Sequence, residues 1–365
     1  MTFEIFLVAP PGLEPFLADE AREAGFSVRG TEPGGVILQG GWPDVWRANL
    51  TLRGASRVLA RIGAFRAFHL AQLDKRARRF DWGAVLPKGL AVRVEVSTKR
   101  SKIYHAGAAR QRIERALVEG LGATIAADAP VQIKARIDDN LVTLSLDTSG
   151  ESLHKRGHKL FTGKAPMRET LAALILRAAG FDGTEPLIDP MCGSGTFVIE
   201  AAEIAAGLLP GRDRHFAFEQ LASFDPDAFA AMKAVPAREP RFRPLGFDRD
   251  AGAVKGAAEN AERAGVSDFV RFARAPVSAL ERPDGPPGLV VVNPPYGGRI
   301  GQRKLLFALY GSLGEVLRAR FAGWRVALVT DDGGLAKATG LPFLPPGPPI
   351  AHGGLKVRLY QTGAL

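Results

Sequence analysis

Apolar residues fall in two kinds of pattern along this 365-residue chain, and the change of pattern divides it. From Phe3 to Val8 they alternate weakly, the period of a half-buried strand. From Leu13 to Ala24 they recur at helical spacing (Leu13, Phe16, Leu17, Ala21, Ala24), and Gly25 is the stop signal. Short strands at Phe26–Arg29 and Val36–Leu38 flank a Pro33-Gly34-Gly35 turn, so residues 1–43 read as a small α+β unit with no catalytic residues. Helix Pro43–Leu50, strands Arg57–Phe65 and Leu90–Val96, helix Ala108–Leu121, and strands Val131–Ile137 and Leu141–Leu146 follow, the last two joined by an Asp138-Asp139-Asn140 turn. Beyond Pro166, which is placed to open a helix ending at Gly180, the alternation gives way to short, mostly apolar runs. These are Pro186–Ile188, Leu245–Phe247, Phe269–Phe272, Leu289–Val292 and Trp324–Thr330, with helices Ala251–Ala264 and Gln302–Phe321 among them. Continuous apolar strands alternating with helices predict a doubly wound, mostly parallel sheet covered on both faces, with Leu355–Gln361 as a last, antiparallel strand.

The first of these strands leads into the most informative stretch, PLIDPMCGSGTFVIEAA (Pro186–Ala202). Asp189 ends the strand, Pro190–Thr196 is a loop of small residues, and a helix begins there. Strand, glycine turn and helix form the ligand-binding corner of a doubly wound sheet. Gly193 and Gly195 remove side chains where a backbone must approach a ligand. Val198 stands where a dinucleotide fingerprint needs its third glycine, which argues against phosphate cradling and a nicotinamide-dependent dehydrogenase. The candidate cofactor-binding residues here are Asp189, Pro190, Cys192, Gly193, Gly195 and Thr196; Cys192 reads as a small loop residue, not a nucleophile. Asp248, at the end of the second strand, is placed to accept both ribose hydroxyls, with Asp250 as the neighbouring alternative.

The fourth strand ends in Asn293-Pro294-Pro295-Tyr296. Two prolines lock the backbone and remove two N–H donors. The Asn293 amide and the Pro294 carbonyl are left as fixed acceptors for the two hydrogens of an exocyclic amine, and Tyr296 supplies a flat face for a base. Asn293, Pro294 and Tyr296 are therefore the candidate catalytic residues.

Charge changes the picture of the middle segment. The net charge of +10 is made of −4 in residues 1–43, +12 in 44–165 and +2 in 166–365. A localised excess suits a polyanion, whose counterions are released on binding. Lys75, Arg76, Arg78 and Arg79 cluster on one stretch, and Lys99-Arg100-Ser101-Lys102, with Tyr104 just beyond, is the favoured RNA patch. The connector Leu153-His154-Lys155-Arg156-Gly157-His158-Lys159 is basic and glycine-punctuated, and Lys155 and Arg156 are expected to touch RNA. The insert Leu209–Pro244 is open between covering the cleft and contacting RNA. No apolar stretch approaches the roughly 20 residues that span a bilayer. The amino terminus does not read as a signal peptide, one cysteine excludes an internal disulfide, and no zinc spacing occurs. A cytoplasmic, metal-free monomer is expected.

Four motifs in order, LHKRGHK (Leu153–Lys159), APMRETLAA (Ala165–Ala173), DPMCGSGTFVIEAA (Asp189–Ala202) and NPPYGGRIG (Asn293–Gly301), make nearly the whole chain resemble the THUMP-containing, RlmL-type rRNA guanine-N2 methyltransferases of class I. The resemblance implies a Rossmann-like methyltransferase domain with a seven-stranded, mostly parallel sheet at 166–365. Ahead of it come a ferredoxin-like unit at 1–43, a THUMP RNA-binding domain at 44–155 and a linker at 156–165. It implies S-adenosylmethionine as cofactor, RNA as partner (23S rRNA or a pre-50S particle), and Thr170 as a further contact, because the helix carrying it borders the methyl-donor pocket. Such relatives carry an acid shortly after the third strand, where this chain has Pro276. The alternatives are a tRNA guanine-N2 enzyme, an adenine-N6 methyltransferase and an RNA-binding protein with weak catalysis. The chain ends soon after its last strand, so a second, fused modification activity is expected to be absent.

Overall fold

The computed structural model describes residues 2–163, 166–297 and 303–365. Lys164, Ala165, the motif tail Gly298–Gly301, and Gln302, the expected first residue of a helix, lie outside the described residues. The chain forms two compact units: Met1–Ala9, Ala18–Leu153 and Arg214–Ala234 in the first, and Pro10–Leu17, His154–Asp213 and Val235–Leu365 in the second.

In the first unit the strands are β1 (Phe3–Val8), β2 (Ser27–Glu32), β3 (Gly35–Gly40), β4 (Arg57–Arg66), β5 (Ala91–Lys99), β6 (Thr124–Ile125), β7 (Val131–Asp138) and β8 (Leu141–Asp147). They make one sheet in the order β2-β3-β1-β4-β8-β7-β5-β6. Strand β4 pairs with β1 on one side and β8 on the other, so a single sheet runs through residues 3–147. Between the strands lie helices α1 (Glu14–Glu23), α2 (Trp42–Thr51), α3 (Leu70–Arg79) and α4 (Ala106–Leu121). The hairpin of β7 and β8 turns on Asp139 and Asn140, both left-handed (φ 48° and 61°), a conformation that Asn and Asp tolerate better than most residues.

The second unit runs α5 (Glu169–Ala178), β9 (Leu187–Asp189), α6 (Thr196–Ala206) and, after α7 (Pro226–Lys233) of the first unit, β10 (Leu245–Asp248), α8 (Ala251–Arg263), β11 (Arg271–Arg274), β12 (Leu289–Val292), α9 (Arg303–Arg320), β13 (Arg325–Thr330), α10 (Gly333–Ala338), β14 (Ile350–His352) and β15 (Leu355–Gln361). Its seven strands are ordered β11-β10-β9-β12-β13-β15-β14, and β15 alone runs against the others. β9 and β12 pair in the centre and leave the sheet in opposite connection directions, which makes their carboxyl ends the switch point where such sheets bind ligands. β12 is at most 1% exposed at every residue, in keeping with its unbroken apolar run. No helix among the described residues is long and apolar enough to cross a membrane.

Three local expectations change. Helix α5 begins at Glu169, not Pro166: Arg168 is extended (φ −75°, ψ 140°), and the Met167 carbonyl accepts from Lys159 Nζ rather than from a helical amide. Strand β11 forms two residues later than its apolar run, because Ser267–Phe269 turns as a 3-10 helix. Residues Arg214–Ala234 of the insert belong to the first unit, where Phe216, Phe218 and Phe229 are at most 5% exposed. Phe218 stacks 5.1 Å from Phe216 and meets Phe229 edge-on at 5.2 Å, with Trp46 of α2 at 6.3 Å. These aromatic side chains of the insert therefore pack in the core of the first unit.

Candidate active site

The loop after β9 is shaped by close packing beneath it. Gly195 is the left-handed N-cap of α6 (φ 79°), and a Cβ there would lie 3.0 Å from both the Ala257 methyl and the Phe272 ring. Gly193, also left-handed at φ 52°, has nothing within 4 Å of the place a Cβ would take. One glycine thus seats the loop on α8 and the other opens it to the cleft. Cys192 is 6% exposed, packed with Val198, Ile199 and Ala257, and burial pushes its thiol far above the usual range; it is no nucleophile.

The two acids at the strand ends differ. Asp189 is 2% exposed, and its Oδ1 accepts from Met191 N–H at 3.0 Å. Burial, with the charge of Asp248 adding to it, pushes this carboxyl up to about 8. Asp248 accepts from Gly193 N–H at 3.1 Å with Oδ2 and from Asp250 N–H at 2.9 Å with Oδ1, so it braces the glycine loop while keeping lone pairs for a ligand. Asp250 is committed elsewhere. It caps α8, its Oδ1 accepting from Gly252 and Ala253 N–H at 2.7 and 3.2 Å.

Asp189, Gly193, Thr196, Asn293 and Pro294 line one cleft. The Asn293 Oδ1 is buried with no hydrogen-bond partner among the described residues, and so is the Tyr296 hydroxyl. A buried acceptor without a donor costs stability, which is the mark of a group kept for a ligand. Tyr296 itself is 7% exposed, and burial pushes its phenol above the usual range. Pro190 is buried beneath the loop. Thr170 is 2% exposed within α5 and does not reach the cleft; Pro166 and Met167, in the extended segment ahead of the helix, line it instead. Pro276 opens a 3-10 turn, Val277–Ala279, at the position where an acid was expected.

The connector departs most from its sequence reading. It turns at Leu153–His154 and bends at a left-handed Gly157 (φ 95°), with Arg156 and His158 buried and Lys155 and Gly157 exposed. Arg156, expected on RNA, is buried: its Nη1 donates to Glu200 at 2.5 Å and Glu203 at 2.9 Å, both carboxylates of α6. Lys159 lies 3.5 Å from Glu169 of α5. Burial pulls the His158 imidazole down to about 4. Asn260 of α8, fully buried, accepts from Phe161 N–H at 3.1 Å and donates to the Phe161 and Ser194 carbonyls at 3.0 Å, tying connector to glycine loop. The Phe161 ring fills the space a side chain at Gly256 would need. The sequence signal for this network was present in Glu200 and Glu203, whose charges break the apolar face of α6.

Among the proposed RNA contacts, Lys99, Arg100, Lys102 and Lys155 are exposed. Arg100 forks onto Asp138 at 2.9 and 3.2 Å, and the Lys102 ammonium lies 5.7 Å from the Phe68 ring centre. A separate basic cleft is lined by Lys75, Arg76 and Arg79 of α3 with Phe65 and Phe80.

A mostly parallel sheet in this strand order, with a glycine loop and Asn-Pro-Pro-Tyr at its switch point, defines a class I methyltransferase domain. Residues 156–341 match the family described as RMKL-like, methyltransferase domain, and residues 4–59 match the RlmL ferredoxin-like domain. The chain belongs to the RMKL-like methyltransferase family. Ribosomal RNA large subunit methyltransferase K/L of Chromohalobacter salexigens is 36% identical over 92% of this chain and 49% of that protein. The chain spans about half the length of the curated relatives it matches. A crystal structure of a methyltransferase complexed with SAH has a TM-score of 0.90 at 27% identity, covering 100% of this chain and 98% of that one. A structure from Listeria monocytogenes described as an N6-adenine-specific DNA methylase has 0.89 at 28%, covering 100% and 97%. The site suits a methyl-donor nucleoside: open space over Gly193, two strand-end acids, and an unpartnered acceptor at Asn293 on the same cleft.

Proposed function

We propose that this protein methylates the exocyclic N2 amine of a guanine in RNA, with large-subunit ribosomal RNA, free or in a pre-50S particle, as substrate. S-adenosylmethionine is the cofactor and supplies an already activated methyl group. Asp248 would hold the ribose hydroxyls, Asp189, Gly193 and Thr196 would line the rest of the donor's site, and no metal is called for. The observation that carries the reading is the buried, partnerless Asn293 Oδ1 beside the Pro294 carbonyl on the cleft of the glycine loop.

The chemistry follows from these acceptors. A guanine amine is a poor nucleophile because its lone pair is delocalised into the ring. Asn293 Oδ1 and Pro294 O would each accept one amine hydrogen and hold the nitrogen toward tetrahedral geometry, which frees the lone pair. Positioning at about 3 to 3.5 Å can supply roughly 7–11 kcal/mol, so no strong base is required. The base must leave its stack, at a cost of a few kcal/mol. Tyr296 is the stacking platform, and because it is 7% exposed, its ring must be uncovered as the base enters. Residues 44–155 supply the RNA-binding THUMP domain, and the reaction belongs in the cytoplasm.

Nucleoside mass spectrometry of rRNA and tRNA from cells with and without the protein tests this reading. Loss of N2-methylguanosine from rRNA is expected. Loss from tRNA alone would overturn the substrate. Loss of N6-methyladenosine would overturn the base and support the second reading, which the Listeria structure's description keeps open. In purified protein, Asn293→Ala should lose turnover while keeping affinity for S-adenosylhomocysteine.

A further inference from the structure

Three segments meet at one end of the first unit's sheet. The register sets Arg66 at the end of β4 beside Leu141, Leu141 beside Asp138, and Asp138 beside Lys99 at the end of β5. The chain leaving β4, the chain leaving β5 and the β7–β8 turn therefore lie together. Asn140 of that turn joins the other two. Its carbonyl accepts from Ala67 N–H at 2.9 Å, and its Oδ1 accepts from Lys102 N–H at 2.9 Å and from the Ser101 hydroxyl at 3.3 Å. Gln72 Oε1 accepts from Phe68 N–H at 2.9 Å, and the Thr98 hydroxyl donates to the Tyr104 carbonyl at 3.3 Å.

On this hydrogen-bonded backbone stand two aromatic side chains that the core does not use. Phe68 is 41% exposed and Tyr104 84% exposed. Among the described residues the exposed aromatic side chains are Phe68, Tyr104 and Phe307, and Phe307 belongs to the second unit. Cations accompany the pair. The Lys102 ammonium lies 5.7 Å from the Phe68 ring centre, and Lys99 and Arg100 are exposed on the same segment. Gln72, which holds the Phe68 backbone, also lines the basic cleft with Lys75, Arg76 and Arg79, and the helical spacing of these four puts them on one face of α3.

We propose that this end of the sheet binds unpaired RNA, with Phe68 and Tyr104 each stacking on a base and the α3 face holding phosphates of the same strand. The inference deepens the reading of the protein as an RNA methyltransferase and rests on it. Cations alone suit any RNA, because every strand carries phosphates. A ring needs a free base face. A duplex keeps its base faces inside the stack, whereas an unpaired base can be splayed onto an aromatic side chain. Stacking is tolerant of sequence, since every base has such a face. It also releases no counterion, which separates it in measurement from the phosphate contacts of α3.

The test measures binding of the purified full chain to a single-stranded RNA of about 12 nucleotides, and to a duplex of the same length, by fluorescence anisotropy over a range of salt. Wild type should favour the single strand at equal salt. Phe68→Ala and Tyr104→Ala should each weaken single-strand binding by about tenfold, with duplex binding and the slope of log affinity against log salt unchanged. Tyr104→Phe, which keeps the ring, should bind as wild type does. Alanine variants that hold the single strand as tightly as wild type would overturn the inference. So would a loss shared equally by both RNAs, which would assign the rings to support of the loops, or a wild type that prefers the duplex, a result that needs no variant to fold. If the variants behave as expected but cells without the protein keep N2-methylguanosine in their rRNA, the parent reading fails and the stacking surface stands.

Discussion

Three basic stretches of similar composition divide into two fates. Lys155-Arg156-Gly157-His158-Lys159 lies in the second unit with Arg156 and His158 buried, whereas Lys75, Arg76 and Arg79, and Lys99-Arg100-Ser101-Lys102, lie exposed in the first. Lysine and arginine are almost never fully buried unless paired, so the partner decides the outcome. For Arg156 the partners are Glu200 and Glu203, one turn apart on α6, and for Lys159 the partner is Glu169. The α3 cations have Asp74 and Glu119 within reach only of Arg78, which takes both, and the other three are left facing a cleft with two aromatic residues. Arg156 in the connector is therefore held by the fold, whereas the basic residues on the flank of α3 stay exposed, where the proposed RNA surface needs them.

The largest effect expected from breaking this contrast is at Arg156. Arg156→Met removes the guanidinium shared by two carboxylates that are at most 2% exposed, with Arg212 still 2.7 Å from Glu203, and loss of one partner of a buried pair costs about 3–5 kcal/mol. Denaturant unfolding should show that loss, and a change under about 1 kcal/mol would mean that the network is not coupled to stability. His158 gives the next effect. Its folded value of about 4 lies below the ordinary 6.5, so as pH falls the unfolded chain takes up the proton first. Stability from this residue is fully present above pH 6.5 and is lost as pH drops toward 4, by roughly 3 kcal/mol. The difference between wild-type and His158→Gln stability curves, measured from pH 7 to 4, should trace that window; parallel curves would show that the imidazole is charged in the fold.

The exposed side of the comparison predicts the reverse profile. Replacing Lys75, Arg76 and Arg79 by Gln should leave the unfolding midpoint nearly unchanged, as surface substitutions do. RNA affinity should fall, and the slope of log affinity against log salt should flatten by roughly 0.7–0.9 for each phosphate no longer neutralised. Equal slopes for variant and wild type would remove this cleft from the RNA surface. The smallest effect is expected from Lys99→Gln with Lys102→Gln. Arg100 is already forked onto Asp138, which leaves two cations to act, and a slope change as large as that of the α3 variant would reverse the ranking of the two patches.

Much of the second unit could be read from the chain alone. The central strands β9 and β12 are short, apolar up to their ends and buried at every residue, because a parallel strand covered on both faces has no solvent side to encode. The strand-end positions of Asp189, Asp248 and Asn293 followed from that, since a strand's end is where the apolar run stops. Asp250 could not be told from Asp248 in this way; only the backbone showed that it caps α8. The start of α5, the core role of Phe216, Phe218 and Phe229, and the inward turn of Arg156 were likewise closed to sequence reasoning. Each depends on a partner outside the element itself: Lys159 for the Met167 carbonyl, Trp46 for the insert, Glu200 and Glu203 for the guanidinium.

The sequence by itself determined the layered α/β architecture, the methyltransferase loop and the amine-accepting tetrapeptide, because periodicity and turn chemistry are local and survive without neighbours. Tertiary structure alone decided which charges are buried and which acid is structural. Charge burial depends on whether an opposite charge is delivered to within about 4 Å, and that delivery is made by elements distant in the chain. Asp248 and Asp250 are the same residue type two positions apart; one braces the glycine loop and the other caps α8.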